Sequence, residues 1–412
     1  MSELSSIHLK KIDNLNKVAI TLPASKSISN RALILNALAD SLSNITNLSE
    51  ARDTQTMIRL LNSSNKELDV IDAGTTMRFL TAYFAITGQQ KILTGSQRMQ
   101  ERPIKLLVDT LRVLGADISY LKNEGYPPLS IIGFHYSGVK TISIPGNISS
   151  QYISAMMMIA PLLPNGLTIH LAGSVGSKPY IEMTASLMKQ FGAIISFQAN
   201  EIHIQSEGYK GCMIKVEPDW SAASYWFGFV ALSDESEIHL KGLTEESLQG
   251  DSRIVQIMKP LGVDTSFSTD GALLRNTNNL SHMEYDFTDC PDLAQTVLVV
   301  CAIKGISGVF KGLESLKIKE TDRVYALQNE LAKFGVELLE SNGIWYLKPS
   351  NGFNGDKHIE VETYDDHRMA MAFALVATKT DIIIKNPSVV NKSYPRFWTD
   401  LKSAGLTYHE VY

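Results

Sequence analysis

The chain has 412 residues, of which 44% are hydrophobic, and its 38 basic and 43 acidic residues leave a net charge of −5. This length exceeds what one hydrophobic core usually serves, so we expect two large domains. A net negative charge argues against nonspecific binding to nucleic acid or to anionic membranes, which depends on a basic excess. Any bound anion must therefore be held by a local cluster of cations.

The cysteines and the apolar stretches indicate the cellular compartment in which the protein is expected. Cys212, Cys290 and Cys301 form neither a CxxC pair nor an even set, so they suggest no disulfide framework and no zinc site. The first residues contain no apolar stretch of the secretory type. The most apolar run, from Tyr152, is too short to cross a bilayer and is interrupted by Pro161. We therefore expect a soluble cytoplasmic protein without a membrane anchor.

Six segments along the chain predict helices that are apolar on almost every side, each opened by a Ser, Thr or Asp that can cap its first turn. In chain order they are SKSISNRALILNALA, TTMRFLTAYFAI, SSQYISAMMMIAPLL, SAASYWFGFVAL, PDLAQTVLVVCAI and DDHRMAMAFALVA. A helix without a polar face must be buried. We therefore expect these helices to lie inside the domains, beneath layers of sheet and outer helices.

A second series, of amphipathic helices, alternates with the apolar ones, and each member ends in a hydrophobic residue followed by glycine. The glycines are at positions 115, 192, 262, 335 and 405, about 70 to 77 residues apart. Glycine suits a helix C-terminus because it adopts the left-handed conformation without a Cβ clash. With short Val- and Ile-rich strands between the helices, this spacing predicts six repeated α/β units.

The predicted N-termini of the apolar helices carry unusual cations. If these helices run roughly parallel, their N-termini lie on one side of each domain, where unpaired N–H groups and the helix dipole attract anions. Capping explains the hydroxyl groups there, but it does not explain Arg31, Arg78 and Arg368. Arginine has a planar head group suited to phosphate or carboxylate and is costly to bury without a partner. The sequence thus predicts a multiply charged anionic ligand.

Each segment taken alone also has an ordinary structural interpretation. The segment KETDR, from Lys319, is compatible with a helix start whose charged residues are solvated, and Asp366 is compatible with a simple cap. Cys290 is interpreted as a buried structural thiol rather than a nucleophile. The segment DAGTTMR lacks the pattern of a known phosphate loop, although Gly74 permits close approach of the backbone to a ligand. The recurrence of such segments favours a functional role.

Together these segments resemble the 5-enolpyruvylshikimate-3-phosphate synthase family. The resemblance follows the chain in order through LPASKSISNRALIL, DAGTTMRFL, LTGSQRMQERPI, GNISSQYISA, SKPYIEMT, PDLAQT, KIKETDR, DDHRMAMAFAL and NKSYPRFW. It implies a two-domain inside-out α/β barrel of the enolpyruvyl transferase type, with six βαβαββ repeats, three per domain. It also implies a first domain of residues 22–218 and a second of residues 1–21 plus 219–412, with hinge crossings near residues 21 and 218.

The resemblance implies transfer of the enolpyruvyl group of phosphoenolpyruvate to the 5-hydroxyl of shikimate 3-phosphate, with release of phosphate through a tetrahedral intermediate. Phosphoenolpyruvate would be bound by Lys26, Gly74, Arg98, Gln151, Arg323, Arg368 and Lys392. Shikimate 3-phosphate would be bound by Lys26, Ser27, Arg31, Ser149, Ser150, Gln151, Ser177, Asp292 and Lys319. Asp292 and Glu320 are expected to form the acid/base pair, with Lys26 assisting in charge stabilisation and proton transfer.

Four residues beside these motifs have no assigned step. Ser315 lies where the family commonly has an asparagine that contacts the substrate phosphate, and His367 adjoins Arg368 as a supporting neighbour. Ala24 and Asp72 differ from the residues that the family often has next to the phosphoenolpyruvate loop. The resemblance further implies a monomer that closes its two domains over the substrates, with no cofactor, no metal and no nucleic-acid or membrane partner.

Three other functions remain open at this stage. A UDP-N-acetylglucosamine enolpyruvyl transferase shares the architecture and the donor, but it typically carries a cysteine in a mobile first-domain loop, and the segment LTGSQRMQERPI has none. A noncatalytic phosphometabolite-binding protein would have lost the acid/base residues, whereas Lys26, Asp292 and Glu320 are present. An RNA-processing cyclase of related repeats would need a basic face, which the net charge opposes.

Overall fold

The structure, a computed structural model, describes residues 4–41, 43–277, 282–349 and 359–412. The chain forms two compact units: the first unit is Ala24–Val216, and the second unit is Met1–Pro23 with Glu217–Tyr412. In the part of the chain that the structure describes, no helix combines the length and the apolar character needed to span a membrane.

Short strands alternate with helices along the whole chain. The helices are α1 (Lys26–Leu38), α2 (Arg52–Leu61), α3 (Gly74–Ile86), α4 (Gln97–Gln100), α5 (Lys105–Leu114), α6 (Ser150–Ile159), α7 (Lys178–Gln190), α8 (Trp220–Leu232), α9 (Ile254–Met258), α10 (Ala294–Ile303), α11 (Arg323–Ala332), α12 (His367–Ala374) and α13 (Phe397–Ser403). The strands are β1 (Ser6–Leu9), β2 (Asn16–Thr21), β3 (Asn44–Thr46), β4 (Glu67–Asp69), β5 (Lys91–Thr94), β6 (Ala116–Tyr120), β7 (Leu129–Phe134), β8 (Thr141–Pro145), β9 (Leu167–Ala172), β10 (Ile195–Gln198), β11 (Glu201–Ile204), β12 (Met213–Lys215), β13 (Glu237–Lys241), β14 (Val263–Ser268), β15 (Gly271–Asn276), β16 (His282–Asp286), β17 (Ser307–Lys311), β18 (Val336–Ser341), β19 (Ile344–Pro349), β20 (Ile359–Val361), β21 (Ile382–Lys385) and β22 (Tyr408–Val411).

The strands pair into three sheets in each unit. The first unit has sheets with strand orders β4-β5-β7-β6, β10-β11-β9-β8 and β12-β3. The second unit has the orders β20-β21-β1-β22, β14-β15-β13-β2 and β16-β17-β19-β18. Each four-stranded sheet contains one parallel and two antiparallel pairs. These sheets correspond to the six predicted α/β units.

One sheet departs from the predicted regularity. Strand β3 pairs only with β12, in parallel, so this sheet has two strands among the residues that the structure describes. The physical reason is the short connection between α2 and β4: in four of the other sheets a hairpin follows the second helix of the unit, and residues 62–66 leave no length for one.

The predicted apolar helices are buried, as their lack of a polar face requires. Every residue of α10 and of α12 is buried, and α8 is buried at every residue except Ser221. Helices α8, α10 and α12 contact one another inside the second unit, and α1, α3 and α6 do so inside the first. Each unit thus has an interior of helices.

The predicted helix ends are mostly confirmed. The glycines at 115, 192, 262, 335 and 405 all have positive φ, and a Cβ at Gly115 would lie 1.8 Å from the carbonyl oxygen of His135. Ser25, Ser149, Asp219 and Asp366 cap α1, α6, α8 and α12. The cap prediction is wrong for α3 and α10, which have no side-chain cap. Thr75 lies inside the first turn of α3, and a 3-10 turn, Pro291–Leu293, precedes α10.

Candidate active site

In the first unit, hydrogen bonds connect the starts of several helices. At the start of α1, Lys26 Nζ lies 3.2 Å from Asp53 Oδ2 on α2. The Thr76 hydroxyl on α3 donates to the carbonyl oxygen of Asp53 at 3.3 Å. On α6, the amide of Gln151 donates to the Thr75 hydroxyl at 3.0 Å. The structure therefore brings the predicted residues Lys26 and Gln151 into one connected group of helix starts.

Arg31 is a buried cation held by neutral groups. Its side chain is 2% exposed and donates to Thr184 Oγ1 at 2.7 Å, to the Ser27 carbonyl oxygen at 3.0 Å and to Ser154 Oγ at 3.2 Å. Within the described residues no carboxylate forms an ion pair with it. Burial lowers the pKa of Arg31 to about 10, so the guanidinium remains charged at neutral pH. An anionic ligand would complete its charge pairing.

The start of α3 combines a glycine with a buried arginine. The helix begins at Gly74, has no side-chain cap and carries no acidic residue in its first turn. Arg78, 5% exposed, donates from Nη1 to the carbonyl oxygen of Gly74 at 2.9 Å, and its guanidinium lies 5.3 Å from the ring centre of Tyr152. This start therefore keeps the positive potential of its unpaired N–H groups.

The other predicted residues of the first unit occupy helix starts or the short α4. Ser149 caps α6 by accepting a hydrogen bond from the backbone N–H of Gln151, and the buried Ser150 is the first residue of α6. Ser177 precedes α7 in a left-handed conformation with φ 54°. Arg98 lies in α4 with 44% exposure, 3.7 Å from the carboxylate of Glu101. Helix α1, which carries Ser27, packs against α6 and α7.

In the second unit, Arg323 lies at the centre of a charged network. It is 2% exposed and donates to Asp366 at 2.6 Å, to Glu320 at 3.0 Å and to Asp292 at 3.2 Å. Burial opposes its charge, but the carboxylates of Asp366, Glu320 and Asp292 outweigh burial and raise the pKa of Arg323 above its ordinary value. The interpretation of KETDR as a solvated helix start is therefore wrong for Arg323, and Asp366 is more than a cap.

Two more buried cations join this network. Arg368 is 5% exposed and lies 2.8 Å from Asp292 Oδ2, and Lys392 is 1% exposed and lies 3.4 Å from Glu320 Oε1. Asp292 and Glu320 thus each contact two cations, while their own side chains keep 22% and 15% exposure. These two carboxylates are the solvent-reachable members of an otherwise buried network, as proton transfer requires.

Three candidates lie beside the network. Ser315 belongs to the 3-10 segment Glu314–Ile318, Lys319 follows that segment directly, and both residues are half-buried. His367 is 1% exposed, and its Nδ1 lies 3.7 Å from Asp366 Oδ1. The described residues contain no group of three His, Cys, Asp or Glu side chains placed to hold a metal ion.

The sequence interpretation missed several polar residues in these clusters. Asp53, Ser154 and Thr184 were not among its candidates, although each contacts Lys26 or Arg31. The sequence did contain a signal for Ser154 and Thr184. Ser154 follows Ser150 by one helical turn and Thr184 follows Ser177 by two, so each pair of hydroxyl residues shares one helix face. Asp53 offered no comparable signal, because no predicted site residue lies on its helix α2.

Comparison with known proteins shows the family of the chain. The profile of the EPSP synthase (3-phosphoshikimate 1-carboxyvinyltransferase) family matches residues 9–68 and 62–401. A 3-phosphoshikimate 1-carboxyvinyltransferase of Bacteroides fragilis is 47% identical over 393 residues, which cover 95% of this chain and 96% of that protein. The corresponding protein of Vibrio atlanticus is 36% identical over 420 residues, covering 94% and 96%.

The fold is also found among solved structures. An EPSP synthase from Acinetobacter baumannii superposes with a TM-score of 0.78 at 20% sequence identity, over 99% of this chain and 100% of that one. This match confirms the predicted fold class. Since the family profile and the close relatives extend along nearly the whole sequence, the chain belongs to the EPSP synthase family and is a 3-phosphoshikimate 1-carboxyvinyltransferase of aromatic amino acid biosynthesis.

Proposed function

We propose that the two clusters bind the substrates of this transferase and that Asp292, Glu320 and Lys26 move its protons. As an EPSP synthase, the protein transfers the enolpyruvyl group of phosphoenolpyruvate to the 5-hydroxyl of shikimate 3-phosphate. Both substrates carry a phosphate and a carboxylate. The observation that carries the proposal is the burial of Arg31, Arg323 and Arg368, each at most 5% exposed, within the first two turns of their helices.

The phosphoenolpyruvate ligands in this proposal are Lys26, Gly74, Arg98, Gln151, Arg323, Arg368 and Lys392. Guanidinium groups suit phosphate and carboxylate because they donate two parallel hydrogen bonds. Arg323 pairs with both Asp292 and Glu320. Arg368 pairs with Asp292 and Lys392 with Glu320, so ion pairs hold all three cations in place before an anion binds. The uncapped start of α3 at Gly74 adds backbone N–H donors.

The shikimate 3-phosphate ligands in this proposal are Lys26, Ser27, Arg31, Ser149, Ser150, Gln151, Ser177, Asp292 and Lys319. Hydroxyl and N–H groups at the starts of α6 and α7 suit a phosphate ester. The support from Arg31 is the strongest, because no described carboxylate competes for this buried cation. Ser315 and His367 are assigned no contact with substrate.

The acid/base roles follow from the protons that the reaction must transfer. One group accepts the proton of the attacking 5-hydroxyl, and another delivers a proton to the methylene carbon of phosphoenolpyruvate, which gives the tetrahedral intermediate. Elimination of phosphate then returns a proton from the new methyl group to the protein. Asp292 and Glu320 are proposed for these transfers, with Lys26 stabilising developing negative charge and sharing in proton transfer. Their partial exposure and double cation contacts support this choice.

The test is phosphate release from purified protein supplied with both substrates. Asp292→Asn and Glu320→Gln keep the shape of each side chain and should lower kcat by about 100-fold or more. Lys26→Met should lower kcat and raise KM for phosphoenolpyruvate. Lys10→Met is the control, because Lys10 is a half-exposed lysine paired with Asp381 on the surface of the second unit. Unchanged kcat in both carboxamide variants would remove the acid/base assignment, and release with UDP-N-acetylglucosamine would favour the alternative acceptor.

The proposal also covers the domain limits, the oligomeric state and the cellular compartment of the protein. We assign the functional domains to residues 22–218 and to 1–21 with 219–412, and we assign a cytoplasmic monomer. The division of the two units near Pro23 and Val216 supports these domain limits. All three cysteines are free thiols, which suits a reducing compartment. Sedimentation at micromolar concentration should give a mass near the 45.5 kDa of one chain, and a mass twice as large would contradict the monomer.

A further inference from the structure

Helix α11 buries a carboxylate two turns after Arg323. Glu330 follows Arg323 by seven residues, so both side chains lie on one face of the helix, about 10 Å apart along its axis. The Glu330 side chain is 1% exposed. Because a buried carboxylate is costly unless hydrogen bonds and an opposite charge compensate it, the partners of Glu330 indicate its role.

The carboxylate of Glu330 connects α11 with the chain that follows β20. Its Oε1 accepts a hydrogen bond from the Tyr364 hydroxyl at 2.9 Å, and its Oε2 accepts one from the backbone N–H of Glu362 at 3.2 Å. Lys333 supplies the opposite charge: its Nζ lies 2.7 Å from Glu330 Oε2 and also donates to the carbonyl oxygen of Glu360 at 2.8 Å. Glu330 thus holds the segment of residues 362–366, which leads from β20 to α12.

The segment of residues 362–366 has an unfavourable backbone. Tyr364 and Asp365 are consecutive, and their φ values are 53° and 54°. Aspartate tolerates this left-handed conformation, whereas it is costly for a bulky residue such as tyrosine. Such a conformation persists where surrounding contacts enforce it, and the hydrogen bond between Tyr364 and Glu330 is a contact of this kind.

The segment ends at a residue that contacts two proposed phosphoenolpyruvate ligands. Asp366 pairs with Arg323 at 2.6 Å, and its Oδ1 accepts a hydrogen bond from the backbone N–H of Arg368 at 2.8 Å. One face of α11 therefore holds the segment at two points, through Glu330 at Tyr364 and through Arg323 at Asp366. A shift of the segment would displace Asp366 relative to Arg323 and tilt the first turn of α12.

We propose that Glu330 is a positioning residue for phosphoenolpyruvate binding, which holds the segment of residues 362–366 so that Asp366 keeps Arg323 and Arg368 in place. The inference rests on the proposed role of these two arginines as phosphoenolpyruvate ligands. Glu330 acts through the segment, because its side chain is buried and both of its oxygens accept hydrogen bonds from that segment. Loss of this contact should weaken binding in the ground state and the transition state alike, which raises KM more than it lowers kcat.

The Tyr364 hydroxyl remains a donor under assay conditions. Burial, and after it the Glu330 carboxylate, raises the pKa of Tyr364 to about 12, although the hydrogen bond from the Asn329 amide opposes this shift. The phenol is therefore protonated at neutral pH and donates to a carboxylate, which is the stronger kind of hydrogen bond. Since Tyr364 is only half-buried, its hydroxyl can be removed without opening the core.

The first experiment measures KM for phosphoenolpyruvate in Glu330→Gln and Tyr364→Phe. The glutamine keeps the shape of the side chain but offers one acceptor oxygen where the carboxylate offers two, so KM should rise about 10-fold. The phenylalanine removes one hydroxyl and should raise KM about 3-fold. In both variants kcat should stay within about 3-fold of wild type. KM for shikimate 3-phosphate should be unchanged, because most of its proposed ligands lie in the first unit.

Tyr136→Phe is the matched control for Tyr364→Phe. Tyr136 is also half-buried; its hydroxyl donates to the Val139 carbonyl oxygen at 2.8 Å and accepts from the Asn165 amide at 3.3 Å. Tyr364 has the same pair of contacts, with the Glu330 carboxylate as acceptor and an amide donor at 3.4 Å. Both variants remove one buried hydroxyl contact, but only Tyr364→Phe should change KM for phosphoenolpyruvate.

The second experiment follows the segment itself by hydrogen exchange. The backbone N–H of Asp366 donates to the Thr363 carbonyl oxygen at 2.9 Å, inside the segment. In peptides that span residues 362–369, exchange should be about 10-fold faster in Glu330→Gln than in wild type. Exchange in β14, which belongs to another sheet of the same unit, should not change. Equal acceleration in β14 would show a general loss of stability and overturn the positioning role.

Arg368→Lys separates this inference from the proposed function. It removes the forked head group of a proposed ligand and should raise KM for phosphoenolpyruvate. If KM stays unchanged in Arg368→Lys, the proposed ligand set is wrong and the inference falls with it. If Arg368→Lys raises KM but neither Glu330→Gln nor Tyr364→Phe does, the role of Glu330 is overturned while the proposed function stands. Should Glu330→Gln fail to fold, Tyr364→Phe decides by the same criteria.

Discussion

The two units begin their buried helices in different ways. In the first unit, the hydroxyl groups of Ser25 and Ser149 cap α1 and α6, and α3 has no side-chain cap. In the second unit, the carboxylates of Asp219 and Asp366 cap α8 and α12. A hydroxyl satisfies one N–H group without adding charge, whereas a carboxylate also neutralises the positive end of the helix. Three helix starts of the first unit therefore carry no carboxylate cap, whereas α8 and α12 of the second unit each begin with one.

The buried cations follow the same division. Arg31 in the first unit is held by a carbonyl and two hydroxyl oxygens, whereas Arg323 in the second unit contacts three carboxylates. An anion that approaches Arg323 must compete with carboxylates already present. Two of these, Asp292 and Glu320, are the proposed proton carriers. The comparison teaches that the first unit holds its buried cation without an opposing charge, whereas an anion bound by the second unit must take over contacts that carboxylates already make.

The largest expected effect comes from breaking the charge balance of the second unit at Asp366. This carboxylate is fully buried and is 2.6 Å from Arg323. Asp366→Asn keeps the cap of α12 but leaves Arg323 with less compensation, which should cost about 3 kcal/mol of stability in urea unfolding and most of the activity. Asp365→Asn is the matched control, because Asp365 is exposed and accepts a hydrogen bond from the neutral side chain of Asn386. Equal losses in both variants would contradict the argument.

A smaller effect should follow when a helix of the first unit is given a carboxylate cap like those of α8 and α12 in the second unit. Ser149→Asp retains a good N-cap, so stability should change by less than about 1 kcal/mol. The new carboxylate would neutralise the start of α6 and repel the substrate phosphate, raising KM for shikimate 3-phosphate by about 10-fold or more. Ser149→Asn caps equally well without charge and is the control. The comparison of caps would be wrong if both variants raised KM to the same extent.

Arg31→Met tests the buried cation of the first unit. We expect it to change stability less than Asp366→Asn does. The residues that Arg31 contacts retain partners, since the hydroxyl groups of Ser154 and Thr184 lie 2.8 Å apart and Thr184 also donates to Tyr180. Removing a buried cation that has no carboxylate leaves no opposite charge behind, so unfolding free energy should change by only about 1 kcal/mol. KM for shikimate 3-phosphate should rise about 10-fold. A loss of stability as large as that of Asp366→Asn would show that Arg31 is chiefly structural.

The difference between the units was only partly predictable from sequence. Cap residues and apolar helices are local features, so Ser25, Ser149 and the buried helices could be found by pattern. The contacts of Arg323 with Asp366 and of Arg31 with Thr184 join residues far apart in the chain, and no periodicity encodes them. Arg102 was missed for the same reason. The head groups of Arg78 and Arg102 fill the space where a Cβ of residue 74 would lie, and only the packed structure shows this.

The smallest expected effect concerns Lys304, which follows α10 in the second unit. Lys304 follows the last residue of α10 and is half-buried; burial, together with the nearby charge of Lys379, lowers its pKa from 10.5 to about 8. Between pH 8 and 10.5 the folded protein therefore binds fewer protons at Lys304 than the unfolded chain, and this residue's destabilising contribution, complete below pH 8, disappears as the pH rises. Lys304→Met should be more stable than wild type at pH 7 in urea unfolding, and the advantage should shrink above pH 8. Parallel pH profiles for the two proteins would contradict the lowered pKa of Lys304.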